Sequence, residues 1–203
     1  MILCTIGHGN RTTNEFINLL KENNIAQLVD VRTSPYSRYN PQFNKENLDL
    51  FLKENKIKYI YKGKQLGGRP SDPSCYKNHK IPEGEADYLH EVDYPAIMKK
   101  DWFIKGIDHL LDLAQEETTA TMCSEEDPAN CHRHHLIAKY LLEEFPGDVE
   151  VLHIRAAGVV IPANQIHKSV NDKKPEQKTL FIKRRHEAIS ISFVDLFYTI
   201  IFV

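Results

Sequence analysis

Residues 122–135 crowd two cysteines, two glutamates, three histidines and an arginine into one short stretch, Met122-Cys123-Ser124-Glu125-Glu126-Asp127-Pro128-Ala129-Asn130-Cys131-His132-Arg133-His134-His135. Thiol, carboxylate, imidazole and guanidinium side chains together can supply a nucleophile, a general acid or base and an anion clamp. The β-prone run Thr118-Thr119-Ala120-Thr121 precedes the stretch, and Leu136 to Leu142 has helical spacing. The stretch therefore reads as strand, loop and helix start.

Cys131 falls where that helix begins. A helix N-terminus carries partial positive charge and free N–H groups, and His132 and Arg133 beside it would further favour a thiolate. Cys131 is expected to be a nucleophile or an anion-contacting thiol, set against a half-buried capping cysteine. Glu125 is the candidate acid or base, provided burial or a neighbour brings its pKa towards neutrality. Its bland alternative is a loop carboxylate paired with Arg133. Cysteine phosphatases also place a thiolate in a strand-loop-helix cradle, with an arginine about six residues on. Here Cys123 would take the cysteine's place and Ala129 the arginine's, so that analogy fails on spacing.

Other candidates lie far off in sequence. Arg32, two residues after Asp30, is placed to clamp a carboxylate or phosphate, or else to pair internally with Asp30 or Glu125. Arg38, Lys62, Lys64 and Arg69 surround Gly67-Gly68, so an anion loop is set against solvated charges. His8, between Gly7 and Gly9, is poised for close approach to a ligand or for satisfying loop backbone. Asp30, His132 and Arg133 complete the expected binding set. Cys123, Cys131, His132 and His135 have the right atoms for zinc. There is no CxxC spacing, however, and one helical turn does not aim consecutive histidines at one ion. The expectation is therefore no metal and no cofactor. Cys4 and Cys75 read as structural.

What must position these residues is a series of strands and helices. Ile2–Ile6 reads as a strand, and Thr12 with Glu15 as a capping box opening a helix through Phe16, Ile17, Leu19 and Leu20. Ile25–Val31 reads as a second strand, giving a βαβ unit with a parallel pair. Asn44 is expected to cap a helix carrying Leu48, Phe51 and Leu52. Ile57–Tyr61 reads as a third strand, followed by a glycine-rich basic loop and an irregular stretch to Gly84. Two helices are expected over 87–115, a fourth strand before Met122, and a fifth at 149–154. The alternation implies a three-layer, Rossmann-like α/β fold: a mostly parallel sheet with helices on both faces. Ligands in such sheets sit at the carboxyl ends of the strands. Gly7–Gly9, Asp30 with Arg32, Lys62 with Lys64, Cys123 with Glu125, and His153 with Arg155 should then face one crevice.

Thr5-Ile6-Gly7-His8, Val29-Asp30-Val31-Arg32 with Pro35 and Ser37, Leu66-Gly67-Gly68-Arg69, and Met122-Cys123-Ser124-Glu125 with Asp127-Pro128 and Cys131-His132-Arg133 resemble, in order, the bacterial and archaeal family called domain of unknown function 488. The resemblance runs from about Ile2 to about Ile154. It implies an α/β domain with a shared polar site, and no particular activity.

Composition sets the outer bounds. At 203 residues, the chain suffices for a single α/β domain, expected over 1–185, with an apolar tail over 186–203 whose role is open, homodimer packing included. Residues 1–80 hold 13 Lys+Arg against 7 Asp+Glu, residues 81–150 hold 5 against 17, and residues 151–203 hold 8 against 4. The basic first part suits an anionic ligand, while the acidic middle argues against a uniformly basic nucleic-acid groove. Four cysteines make no disulfide scaffold, no run approaches a membrane span, and no signal peptide is evident, so the expectation is a cytoplasmic protein with no membrane partner. Three function classes follow: an enzyme acting on a phosphorylated or nucleotide-like small molecule, a nucleic-acid-associated protein stacking bases on Tyr36, Tyr39, Tyr59 and Tyr61, and a ligand sensor without turnover.

Overall fold

In the computed structural model, residues 1–84 and 86–166 are described, with the backbone of 181–184 and 187–190. Met1–His167 forms one compact unit and Lys168–Val203 a second. In the second unit two antiparallel strands, Phe181–Arg184 and Glu187–Ser190, pair as a hairpin. The rest of the apolar segment, 191–203, lies outside the described residues.

The first unit is built on strands β1 (Ile2–Gly7), β2 (Gln27–Asp30), β3 (Lys58–Tyr61), β4 (Thr119–Cys123), β5 (Glu150–Ile154) and β6 (Val160–Pro162), in the spatial order β3-β2-β4-β1-β5-β6. β1 to β5 run parallel; β6 is antiparallel to β5. The sheet is mixed and mostly parallel, with helices around it, consistent with a three-layer α/β fold. β2 and β4 are buried along their whole length. The pleat divides their side chains between two cores. Leu28, Ala120 and Met122 join Phe16, Leu20, Leu48 and Leu52 on one side. Val29, Val31 and Cys123 join Phe103, Ile107, Leu110 and Leu136 on the other.

Helix α1 (Thr13–Glu22) starts on the expected capping box: Thr12 Oγ1 accepts from Glu15 N, and the Glu15 carboxylate accepts from Thr12 N at 2.7 Å. Helix α2 (Lys45–Glu54) does follow Asn44, but the Asn44 side chain does not cap it. Its Oδ1 accepts instead from Ser37 N at 2.7 Å and ties down the loop after β2. The glycine-rich segment is half helical, as α3 (Gly63–Leu66). Where two helices were expected over 87–115 there are three: α4 (Tyr88–Glu91), α5 (Tyr94–Met98) and α6 (Asp101–Glu116). After β4, a π-helical turn, Arg133–Ala138, runs into α7 (Lys139–Glu144). Among the described residues no helix is long and apolar enough to cross a membrane.

Candidate functional site

Sheet register brings the distant segments together. Asp30 on β2 is level with Met122 on β4, and Val31 N donates to Met122 O at 3.1 Å. Gly7 on β1 is level with Cys123, His8 N donates to Cys123 O at 3.0 Å, and Gly9 N donates to Ser124 O at 2.8 Å. The loop after β4 is thus zipped to the ends of both neighbouring strands. Gly7 is required there: a Cβ would stand 1.7 Å from the Glu125 carbonyl oxygen.

Charge then pins the loop from both sides. Outside, the Glu126 carboxylate accepts from Arg155 Nη2 at 2.9 Å and Arg11 Nη2 at 3.0 Å. Asp127 accepts from Arg155 Nη1 at 2.8 Å and caps the turn through Ala129 N at 3.0 Å. Inside, Arg133 is fully buried and donates to the carbonyls of Glu125 and Glu126. The expected Arg133–Glu125 pair therefore runs through the Glu125 backbone. The Glu125 carboxylate is exposed and makes no ion pair or hydrogen bond among the described residues. It has neither the burial nor the neighbour that acid–base work at neutral pH needs.

The reactive groups converge behind this loop. Cys131 has an extended backbone (φ −140°, ψ 140°) and His132 begins the helical turn (φ −58°, ψ −25°), so these consecutive side chains meet instead of splaying apart. His132 Nδ1 lies 3.6 Å from Cys123 Sγ and 3.9 Å from Cys131 Sγ. His132 Nε2 is 3.2 Å from the Val31 carbonyl, to which it donates, leaving Nδ1 to face the sulfurs. Both thiols are buried and reduced. A hydrogen bond to Cys131, then burial, raises the Cys123 thiol well above the ordinary range. Burial alone would raise Cys131 too; hydrogen bonding with Cys123 and with His132, together with the charge of Arg133, outweighs it and holds Cys131 well below that range. Arg133 contacts no carboxylate among the described residues, so a Cys131 thiolate is the anion that best answers its buried charge.

These atoms wall a cavity of about 460 Å³. Arg32, Thr33, Ser37, Gly68, Arg69, Tyr88, Tyr94, Ser124, Glu125 and Asn130 share the lining with Cys123, Cys131 and His132. The proposed meeting of Arg32 with the Cys131 turn is therefore found in one cavity. Asp30 holds Arg32 bidentately, with Nε–Oδ1 at 2.9 Å and Nη2–Oδ2 at 2.6 Å, and Tyr59 Oη donates to Oδ2 at 2.8 Å. Asp30 is thus consumed inside the protein and does not reach the cavity. Arg32 Nη2 also reaches the Phe43 carbonyl at 2.8 Å, while Nη1 has no hydrogen bond among the described residues.

Other expected site residues lie elsewhere. Arg133 is behind the wall. Arg38 is exposed and its guanidinium lies 5.6 Å from the Tyr39 ring. His8 is buried against Phe43, with ring centroids 4.4 Å apart, and its Nδ1 donates to Gly9 O at 2.8 Å. Burial first, with help from Arg32, lowers His8 to about 4. Lys62 meets His109 at 2.6 Å, and His135 meets the Ala129 carbonyl at 2.6 Å, away from the sulfurs. His134 joins His153 (3.0 Å) and through it Thr5 (2.6 Å) in a buried chain.

The family model Domain of unknown function DUF488 matches residues 12–141. This chain belongs to that family. The match spans Asp30, Arg32, Gly67, Gly68 and the whole 122–135 stretch, whereas the Gly7-His8 turn and Arg155 fall outside it. No curated protein and no solved structure matches the chain.

Sequence reasoning missed Tyr88 and Tyr94, which lie in the stretch read as helical over 87–115 and carry no motif that points to a site. Gly68 had a signal, the Gly67-Gly68 pair, but its use is steric: a Cβ there would stand 2.5 Å from the His132 ring.

Proposed function

We propose that this protein is an enzyme acting on a small anionic molecule, phosphorylated or nucleotide-like, at the carboxyl ends of β2 and β4. The observation that carries this is a single cavity lined both by Arg32, whose Nη1 has no hydrogen bond among the described residues, and by a Cys–Cys–His cluster. Ligand cavities span roughly 300–1,000 Å³, and this one falls in that range. Its position follows the Rossmann-like rule that ligands sit beyond the strand ends. Arg32 is oriented by Asp30 and would present Nη1 to a phosphate or carboxylate. Arg69, whose guanidinium lies 4.2 Å from the Tyr88 ring, would hold the anion's other side. Cys131 as thiolate is the reactive group, with His132 placed to move a proton at its sulfur. Glu125 at the rim would accept from a substrate hydroxyl or amine. Four free thiols suit residence in the cytoplasm.

Calorimetric titration with inorganic pyrophosphate tests the anion site. Arg69 is exposed, so Arg69→Gln should weaken binding about tenfold, or about 1.4 kcal/mol, with little loss of stability. Absence of binding in the wild type would sink the reading, and binding without turnover of any phosphorylated compound would leave a sensor. A second reading is favoured by Tyr36 and Tyr39, 55% and 85% exposed, with Arg38 between them in sequence and Tyr36 lining the cavity. They could stack the bases of a single strand. Affinity for an oligonucleotide falling steeply with salt would support it, and a flat response would remove it.

A further inference from the structure

The Cys123, Cys131 and His132 atoms that face one another are spaced as metal ligands. Zn–S of about 2.3 Å and Zn–N of about 2.0–2.1 Å at tetrahedral angles require S···N near 3.6 Å and S···S near 3.8 Å. The two S···N distances are 3.6 and 3.9 Å, and the three atoms all lie within 4.8 Å of one another. A second, independent feature is the far side of the imidazole. Metal-bound histidines almost always donate their other N–H to a carboxylate, carbonyl or water, and His132 donates to the Val31 carbonyl. A third is the cavity itself, which all three residues line. Three protein ligands with one open position is the pattern of catalytic zinc; a structural site would be closed by a fourth.

We propose that Cys123, Cys131 and His132 hold one thiophilic divalent cation, zinc in the first instance, through two sulfurs and Nδ1, with a fourth position open to the cavity. Two thiolates and a neutral imidazole leave the zinc site uncharged overall. His135 is not a ligand, being held at the Ala129 carbonyl. The sequence expectation of no metal rested on spacing, and the extended backbone at Cys131 removes that objection. Resting on the cavity reading above, this assigns the anion a place beside a Lewis acid and makes Cys131 a ligand while the ion is bound.

The test is titration of metal-free protein with cobalt(II) and then zinc. One equivalent of cobalt should give a thiolate-to-metal charge-transfer band and the visible bands of a tetrahedral ion, both displaced by zinc. Cys123→Ser, Cys131→Ser and His132→Gln should each weaken binding by on the order of 100-fold, at least the cost of losing a ligand's supporting partner. His135→Gln should change nothing. Should a variant not fold, the wild type decides alone: one equivalent of zinc should slow iodoacetamide labelling of Cys123 and Cys131 and spare Cys4 and Cys75. No charge-transfer band, or labelling indifferent to zinc, overturns the metal site. Pyrophosphate binding to metal-free protein would stand apart from either result, so the two proposals fail separately.

Discussion

Gly68 leaves the space that the His132 ring fills: a Cβ on residue 68 would stand 2.5 Å from the imidazole Cγ and 2.7 Å from its Cβ. Neither neighbour is the far end of a flexible chain, because His132 is fixed at Val31 and its ring stands against both sulfurs. Gly68→Ala should therefore push the imidazole away from Cys123 and Cys131. The expected cost is about 1–3 kcal/mol of stability, the usual range for overpacking. Urea unfolding reads the stability, and the labelling rate of Cys131 reads the displaced histidine. A variant as stable and as reactive as the wild type would show that the ring has room to spare.

Arg133 should matter more to folding than its distance from the cavity suggests. Arg133→Met keeps the volume but leaves the Glu125 and Glu126 carbonyls without their donor, at roughly 1–3 kcal/mol each. Arg133→Lys should recover only part, since an ammonium cannot span both carbonyls in the planar fork of a guanidinium. Equal denaturation midpoints for the Lys variant and the wild type would contradict this.

His8 gives a pH dependence with a definite sign. The unfolded chain takes a proton on this histidine at about 6.5, and the folded chain resists until about 4. Between those values the unfolded state binds more protons, so stability falls as pH falls through the window, by up to about 3 kcal/mol. His8→Asn keeps the donor to the Gly9 carbonyl and removes the titration. The gap between wild type and His8→Asn should therefore narrow or reverse as pH drops from 7 to 4. A gap that does not change with pH counts against a neutral, buried His8.

Glu125→Gln should leave stability within about 0.5 kcal/mol, the usual range for a surface side chain away from any network. Glu126→Gln should cost more, because it halves the charge that Arg11 and Arg155 clasp. Thermal melts of the two variants side by side decide it. A larger loss in Glu125→Gln would mean that its carboxylate holds the loop.

What could be read from the chain and what could not divide along physical lines. The α1 capping box and the parallel direction of β1 and β2 follow from local pattern, and strand direction alone put Arg32 near Cys131; the expected β1–β2 pair is not formed, because β4 lies between them and pairs with both. Backbone conformation at single residues was not legible. Nothing in Asn130-Cys131-His132 announces an extended cysteine before a helical histidine, and that change of φ/ψ is what aims both side chains at one point. Partner choice was not legible either. Arg133 takes Glu125 through its carbonyl, Asn44 ties a loop instead of capping α2, and Asp30 is occupied by Arg32 and Tyr59. β6 is only three residues long, too short for a pattern of alternation to show.

The most direct test of an anion site beside a thiolate compares two alkylating reagents of nearly equal size on metal-free protein. Iodoacetate carries a negative charge and iodoacetamide does not. If Arg32 and Arg69 draw an anion to Cys131, iodoacetate should label Cys131 faster relative to iodoacetamide than it labels a free thiol, with a rate that saturates and is suppressed by pyrophosphate. Slower reaction with iodoacetate, or labelling that pyrophosphate leaves untouched, would contradict the account.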